Sequence, residues 1–489
     1  MRWIFLFLIL LQVSPAQPLR ERIESALESS PAAKRAFWGI QVVNLTSGET
    51  MFQVNPNRFF VPASNAKLFT TALALMRLGP DYRFETAIRA AAPPDASGRI
   101  AGDLGLVGGG DPMLSARAVP YQKGPAAGDP LQAIEALAGQ VVYAAGVHRI
   151  DGDIVGDDSA YVWAPYPEGW AQDDTVWDFG APVSALAVND NMLSLTLRTS
   201  GAGGRAPGLF LYPAMEYYFL DNRVRTGPGL ENKVYVERLS GSRQLRLWGT
   251  MSSDPVSSVT LRVAIDDPAL YAAHALADAL GRRGVQIAGR PRARHWYANQ
   301  EGAPPAPGGV ELARRNSPPL VEILRIIDKV SQNLYAEMVL REVARARKGT
   351  GSREAGLEEA RAFLTEMGIE DADCRFVDGS GLSPADLVTP AAVVKLLRHM
   401  HGSKVRDAWI SLLPVGGEDG TLSVRFEGKP EARRIHAKTG TLDHAAALSG
   451  YAESRSHGLV AFSILTNNFN TPGAEIRAVI DRIALLLTE

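Results

Sequence analysis

The sequence predicts an α/β (α+β) fold, with helices packed on an antiparallel sheet and β-rich modules inserted into the chain. Three observations predict it: alternating strands near both ends, helical periodicity after residue 318, and a middle stretch, 82–304, of short β-rich runs broken by Gly and Pro clusters. At 489 residues, 46% hydrophobic and 21% charged, the chain can bury more than one core, so two or three domains are expected.

The elements follow in order. Arg2 precedes an apolar run, 3–11, and Ser14-Pro15-Ala16 supplies small residues at a cleavage-type spacing. This reads as a secretory signal peptide over 1–16, because the run is far below the roughly 20 residues that span a bilayer. The expected location is outside the cytoplasm, periplasmic or secreted. An amphipathic helix over 19–27 is followed by strands 37–44 and 50–54, joined at Thr46-Ser47-Gly48. Pro62-Ala63-Ser64 leads into a helix over 65–78, whose Leu68, Ala72, Leu75 and Met76 recur at helical spacing before Gly79-Pro80 stops it. Ser64 therefore stands at a helix N-terminus.

In the β-rich middle, Gly105-Leu106-Val107, 193–197, 233–238 and 258–264 read as strands, a helix over 268–282 ends at Gly284, and 304–309 reads as a linker. Helices return at 318–327, 334–348, 353–367 and 389–401, the last with a Thr cap and Pro390 in its first turn. Strands 445–453 and 458–466 and a closing helix, 474–487, complete the chain. No internal repeat is present, which excludes solenoids.

A formal net charge of -2 gives no electrostatic footprint for nucleic acid or an anionic membrane surface. The single cysteine, Cys374, cannot form an intramolecular disulfide, and its setting reads as the start of a strand, where a lone cysteine is buried filler. The eight histidines form no H-E-x-x-H pattern, and His399 and His401, two apart, lie on different helix faces, so they read as surface or packing residues. No metal or other cofactor is implied.

Three short segments carry chemistry. In Ser64-Asn65-Ala66-Lys67 the i and i+3 side chains share one helix face, and a serine becomes a nucleophile only when a base such as a lysine of lowered pKa takes its proton. Ser331-Gln332-Asn333 stands before the next helix, where its plain reading is a cap. Lys438-Thr439-Gly440-Thr441 puts a cation, a hydroxyl and a glycine on an extended edge, where the missing side chain is expected to let substrate approach the backbone.

In this order S-x-x-K, S-x-N and K-T-G resemble the motif set of the penicillin-binding proteins and serine β-lactamases. More closely, the chain resembles the class C low-molecular-mass penicillin-binding proteins, the D-alanyl-D-alanine carboxypeptidase/endopeptidase family. The matching stretches also include Val107-Gly108-Gly109-Gly110-Asp111-Pro112, Asn189-Asp190-Asn191, Asp378-Gly379-Ser380-Gly381-Leu382-Ser383 and Asp419-Gly420-Thr421-Leu422. One departure is Gln332, where the family usually has Asp.

The resemblance implies a penicillin-binding-protein/β-lactamase-like transpeptidase domain over 17–87 and 305–489, one inserted domain over 88–110 and 186–304, and another over 111–185. It implies that Ser64 attacks the carbonyl between two D-alanines, Lys67 accepts its proton, Ser331 relays a proton to the leaving amine, and Asn333 orients Lys67 and the substrate amide. Lys438 and Thr439 would bind the terminal carboxylate, and the N–H groups of Ser64 and Thr441 would form the oxyanion hole beside Gly440. The implied partners are peptidoglycan peptides ending in D-Ala-D-Ala, with β-lactams as covalent inhibitors. Two other readings stay open at this point: a β-lactamase, disfavoured by the long insertion, and a non-catalytic peptidoglycan-binding scaffold, disfavoured because every required side chain is present.

Overall fold

A computed structural model describes residues 18–124, 128–199, 204–239, 241–300 and 308–489. The expected signal peptide and most of the expected linker at 304–309 lie outside the described residues.

The central sheet is antiparallel and five-stranded, in the order Thr50–Val54, Phe37–Asn44, Gly458–Asn467, Ala445–Ser454, Ile435–Leu442. The first long strand of the chain thus pairs with the last, and the strand carrying Lys438 forms one edge. The two strands 445–454 and 458–467 are buried on both faces rather than half-buried, because helices cover the sheet on either side. On one side, helices Leu19–Leu27 and Gly473–Leu486 pack Ile23, Ile476 and Ile480 against Ile40, Leu448 and Phe462. On the other, Ala66–Leu78, Leu320–Lys329, Asn333–Lys348 and Pro390–His401 bury Leu68, Ile323, Leu334 and Leu397 with Val43, Ala461 and Leu465. Each such fully buried aliphatic side chain contributes about 1.5–3 kcal/mol.

The sequence marks the ends of these helices. The Thr389 hydroxyl accepts from Ala392 N–H at 3.1 Å, and Gly349 closes Asn333–Lys348 at φ 77°, where a Cβ would be strained.

The inserted region has its own core. Strands Pro291–Trp296, Ile154–Val162, Leu104–Gly108, Glu85–Ala90 and Val310–Asn316 form a mixed sheet, against which helices Gln132–Gly139 and Pro268–Gly281 pack. Three smaller sheets, one mixed, one antiparallel and one parallel, extend that core. Strand Glu85–Ala90 pairs with Val310–Asn316, and Ile154–Val162 hydrogen-bonds to Pro291–Trp296 on one side and Leu104–Gly108 on the other. Within this body His295 sits between Asp158, at 2.9 Å, and Asp267, at 3.4 Å, and stacks on Trp163 at 4.1 Å.

Candidate active site

Ser64 lies in a short 3-10 turn, Ala63–Asn65, that feeds directly into helix Ala66–Leu78. Ala63 before it adopts φ 48°, a left-handed conformation that a non-glycine residue holds only when its surroundings impose it. Lys67, one turn later and fully buried, places Nζ 2.9 Å from Ser64 Oγ, 2.6 Å from Asn333 Oδ1 and 2.5 Å from the Ser380 carbonyl. The last two partners can only accept. A neutral amine would spend its two N–H groups on them and leave its lone pair for the Ser64 proton. Burial lowers the Lys67 pKa to about 8 against the opposing pull of Asp378, Glu337, Asp328 and Asp386. The site thus holds a lysine that can act as a base.

Asn333 is oriented by the inserted body, since its Nδ2 donates to the Phe179 carbonyl at 2.9 Å. Tyr335, on the same helix, donates to Asp190 at 2.6 Å, and Trp170 donates to Asp378 at 2.9 Å. A cleft of about 480 Å³ runs along this junction and is lined by Arg117, Asp178, Phe179, Ser331 and Asn333 among others. Asp378 in turn accepts from the backbone N–H groups of Ser380, Gly381 and Ser383, which fixes the Ser380 carbonyl against Lys67.

Ser331 sits between two helices at φ 64°, a strained position for a serine, and its Oγ accepts from Lys438 Nζ at 2.9 Å. The Gln332 side-chain oxygen accepts from Leu334 N–H at 3.1 Å and caps the helix.

In the third segment Lys438 is fully buried, and its ammonium donates to Ser331 Oγ and to the Thr439 carbonyl, each at 2.9 Å. Thr439 Oγ1 donates to Thr421 Oγ1 at 2.8 Å, making a hydroxyl pair at that place. Gly440 is required by the protein's own packing: a Cβ there would stand 2.6 Å from the Pro62 carbonyl and 3.2 Å from Ala63 Cβ. That close approach seats the edge strand on the Ser64 turn, and Asn65 Nδ2 ties the two together by donating to the Lys438 carbonyl at 3.0 Å. Thr441, exposed, follows on the same strand.

Sequence reasoning missed four contributors. The Ser380 and Phe179 carbonyls are backbone groups with no residue-type signal, Thr421 lies in a matching stretch to which no role was given, and Asp328 lies inside a helix outside every motif. Asp111 and Asn191 serve turns: Asp111 accepts from Met113 N–H at 2.8 Å and Asn191 from Val188 N–H at 3.2 Å. Burial pushes the Cys374 thiol up to about 12, which keeps it protonated. His399 and His401 pack against Phe363 and Tyr451.

Comparison with known proteins places this geometry. Residues 19–489 match the model of the D-Ala-D-Ala carboxypeptidase 3 (S13) family. A D-alanyl-D-alanine carboxypeptidase from an Actinomadura species is 34% identical over 482 residues, covering 96% of this chain and 84% of that protein. D-alanyl-D-alanine carboxypeptidase DacB of Haemophilus influenzae is 25% identical over 452 residues, covering 89% of this chain and 86% of its own. The crystal structure of penicillin binding protein 4 from Haemophilus influenzae shares the fold, with a TM-score of 0.80 at 23% identity over 95% of this chain and 97% of that one.

Proposed function

The chain belongs to the D-Ala-D-Ala carboxypeptidase 3 (S13) family of serine peptidases, and on that premise we propose that Ser64 carries the reaction on peptidoglycan stem peptides, through an acyl-enzyme. The observation that carries the assignment is the Lys67 amine, buried, lowered in pKa, and 2.9 Å from Ser64 Oγ with both other partners acceptors.

Ser64 Oγ attacks the carbonyl between two D-alanines while its proton passes to Lys67. The oxyanion is held by the N–H groups of Ser64 and Thr441, a reading supported by the close packing of Gly440 against Pro62 and Ala63. The C–N bond breaks as Ser331, hydrogen-bonded to Lys438, hands its proton to the leaving amine and is reprotonated with the proton that Lys67 took from Ser64. Water then adds to the ester, and Ser64 leaves with a proton. The terminal carboxylate meets the Thr439 and Thr421 hydroxyls, with Lys438 supplying positive potential from behind them. A substrate strand lies along the edge strand beyond Ala437, since residues 435–437 are paired with 414–416, in the usual way an extended peptide joins a sheet.

Cutting of cross-links between stem peptides belongs to the same proposal, as does action outside the cytoplasm after removal of 1–16. A related structure, also penicillin binding protein 4 of Haemophilus influenzae, is described as complexed with a β-lactam, and covalent inhibition of this chain by β-lactams is proposed with it. The test is labelled penicillin followed by intact-mass analysis and hydrolysis of a D-Ala-D-Ala peptide. A long-lived adduct on Ser64 that Ser64→Ala abolishes is expected; rapid turnover of the penicillin would favour a β-lactamase, and no adduct a scaffold.

A further inference from the structure

We propose that Asp328 is a positioning residue for this reaction: a buried carboxylate within electrostatic reach of both active-site lysines that keeps charge on Lys438 while Lys67 serves as base. The inference rests on the roles given above to Ser64, Lys67, Ser331 and Lys438.

Asp328 is fully buried in the last turn of helix Leu320–Lys329, three residues before Ser331. Three local rules are broken there. The C-terminal turn of a helix favours cations, so an acid is misplaced in it. A carboxylate out of water is costly unless paired. Among the described residues one of its oxygens, Oδ1, is buried with no hydrogen-bond partner, while Oδ2 has only the Thr71 hydroxyl, at 3.1 Å. Violations of this kind concentrate where function demands them.

The tether to Thr71 is informative. Thr71 lies one turn beyond Lys67 on the Ser64 helix, and its hydroxyl is also 2.8 Å from the Lys67 carbonyl. One hydroxyl proton serves one acceptor at a time. With Asp328 ionised it goes to the carboxylate; with Asp328 protonated, the acid donates to Thr71, which turns to the Lys67 carbonyl. Both charge states are accommodated without moving an atom of the backbone.

Burial raises the Asp328 pKa to about 7, against the pull of Lys438 on the edge strand, Lys67 on the Ser64 helix and Lys329 on its own helix. Burial lowers the pKa of Lys438, and Lys67 lowers it further; Asp328 is the carboxylate that opposes them. Lys67 by contrast is also supported by Asp378, Glu337 and Asp386. Loss of the Asp328 charge therefore falls hardest on Lys438.

The experiment is the pH profile of acylation by labelled penicillin for the parent, Asp328→Asn, Asp328→Glu and Thr71→Val, with melting temperatures measured in parallel. For Asp328→Asn the descending alkaline limb should move to lower pH by a unit or more, so that the variant acylates about tenfold more slowly than the parent on that limb. The acid limb, supported by three other carboxylates, should move less. Asp328→Glu should return the alkaline limb towards the parent's. Should Asp328→Asn fail to fold, Thr71→Val, which strips the carboxylate of its hydrogen bond, should shift the same limb. Superimposable profiles, or a fall equal at every pH, overturn the proposal, since a purely structural role moves stability and not the limb. A parent that takes no label overturns the reading of Ser64 itself.

Discussion

Lys438 donates to the Ser331 hydroxyl at 2.9 Å from a site closed to solvent. A guanidinium is a wider, planar fork and cannot occupy the volume of an ammonium in a packed interior. Lys438→Arg should therefore lower acylation by about a hundredfold or more, for penicillin and for a D-Ala-D-Ala peptide alike. Stopped-flow acylation with both substrates checks it; a loss confined to substrates with a free carboxylate would mean that the cation faces the ligand directly.

Lys67 must give up its proton before it can take that of Ser64. With its pKa lowered to about 8, the neutral fraction, and the second-order acylation constant with it, should climb about tenfold per pH unit through the acid range until loss of charge at Lys438 turns the profile down. Lys67→Arg, which stays protonated and is too wide for the same kind of packed site, should abolish acylation and lower the melting temperature. A flat profile between pH 5 and about 8 would move the base elsewhere.

Gly440→Ala drives a methyl group to 2.6 Å from the Pro62 carbonyl, so strand and nucleophile turn must part. The expected loss is about 1–3 kcal/mol of stability and about a hundredfold in acylation, the cost of misplacing reacting groups by roughly an ångström. Unfolding in urea and acylation kinetics on the same sample read both.

His295 tests the inserted body. Burial opposes its charge, but the hydrogen bonds to Asp158 and Asp267 outweigh burial and raise its pKa to about 10 from the ordinary 6.5. The folded state therefore favours the protonated ring. The stabilisation is fully present below about 6.5 and is lost as pH rises through about 10. His295→Gln should cost about 2 kcal/mol at neutral pH and progressively less towards pH 10, read as the shift in urea midpoint at each pH. A deficit independent of pH would assign the loss to packing on Trp163 alone.

Much of this was legible before any coordinates. The helices after residue 318 announce themselves through caps such as Thr389 and through apolar spacing, and the hydroxyl and amine groups of the three motifs are side-chain properties that a sequence displays. What stayed hidden has a common cause. The helix Gln132–Gly139 carries Ala133, Ile134 and Leu137 and runs on into Val141 and Val142, a short apolar stretch that periodicity cannot tell from a buried strand. Sheet order in the inserted body depends on pairing between distant segments. The Lys67 acceptor on Ser380 and the Asn333 acceptor on Phe179 are carbonyls every residue possesses, and the reason for Gly440 lies in Pro62, far away in the chain.

The pairing of strand Phe37–Asn44 with Gly458–Asn467 also dictates an order of events during synthesis. Asn44 donates to the His457 carbonyl, 413 residues further on, so the hairpin made first on the ribosome waits for almost the entire chain before its partner emerges. The sheet between Glu85 and Asn316 can close long before that. Ser64 and Lys67 meet the Lys438 strand only when translation is nearly over, and a nascent or truncated chain lacking the final strands is a silent hydrolase.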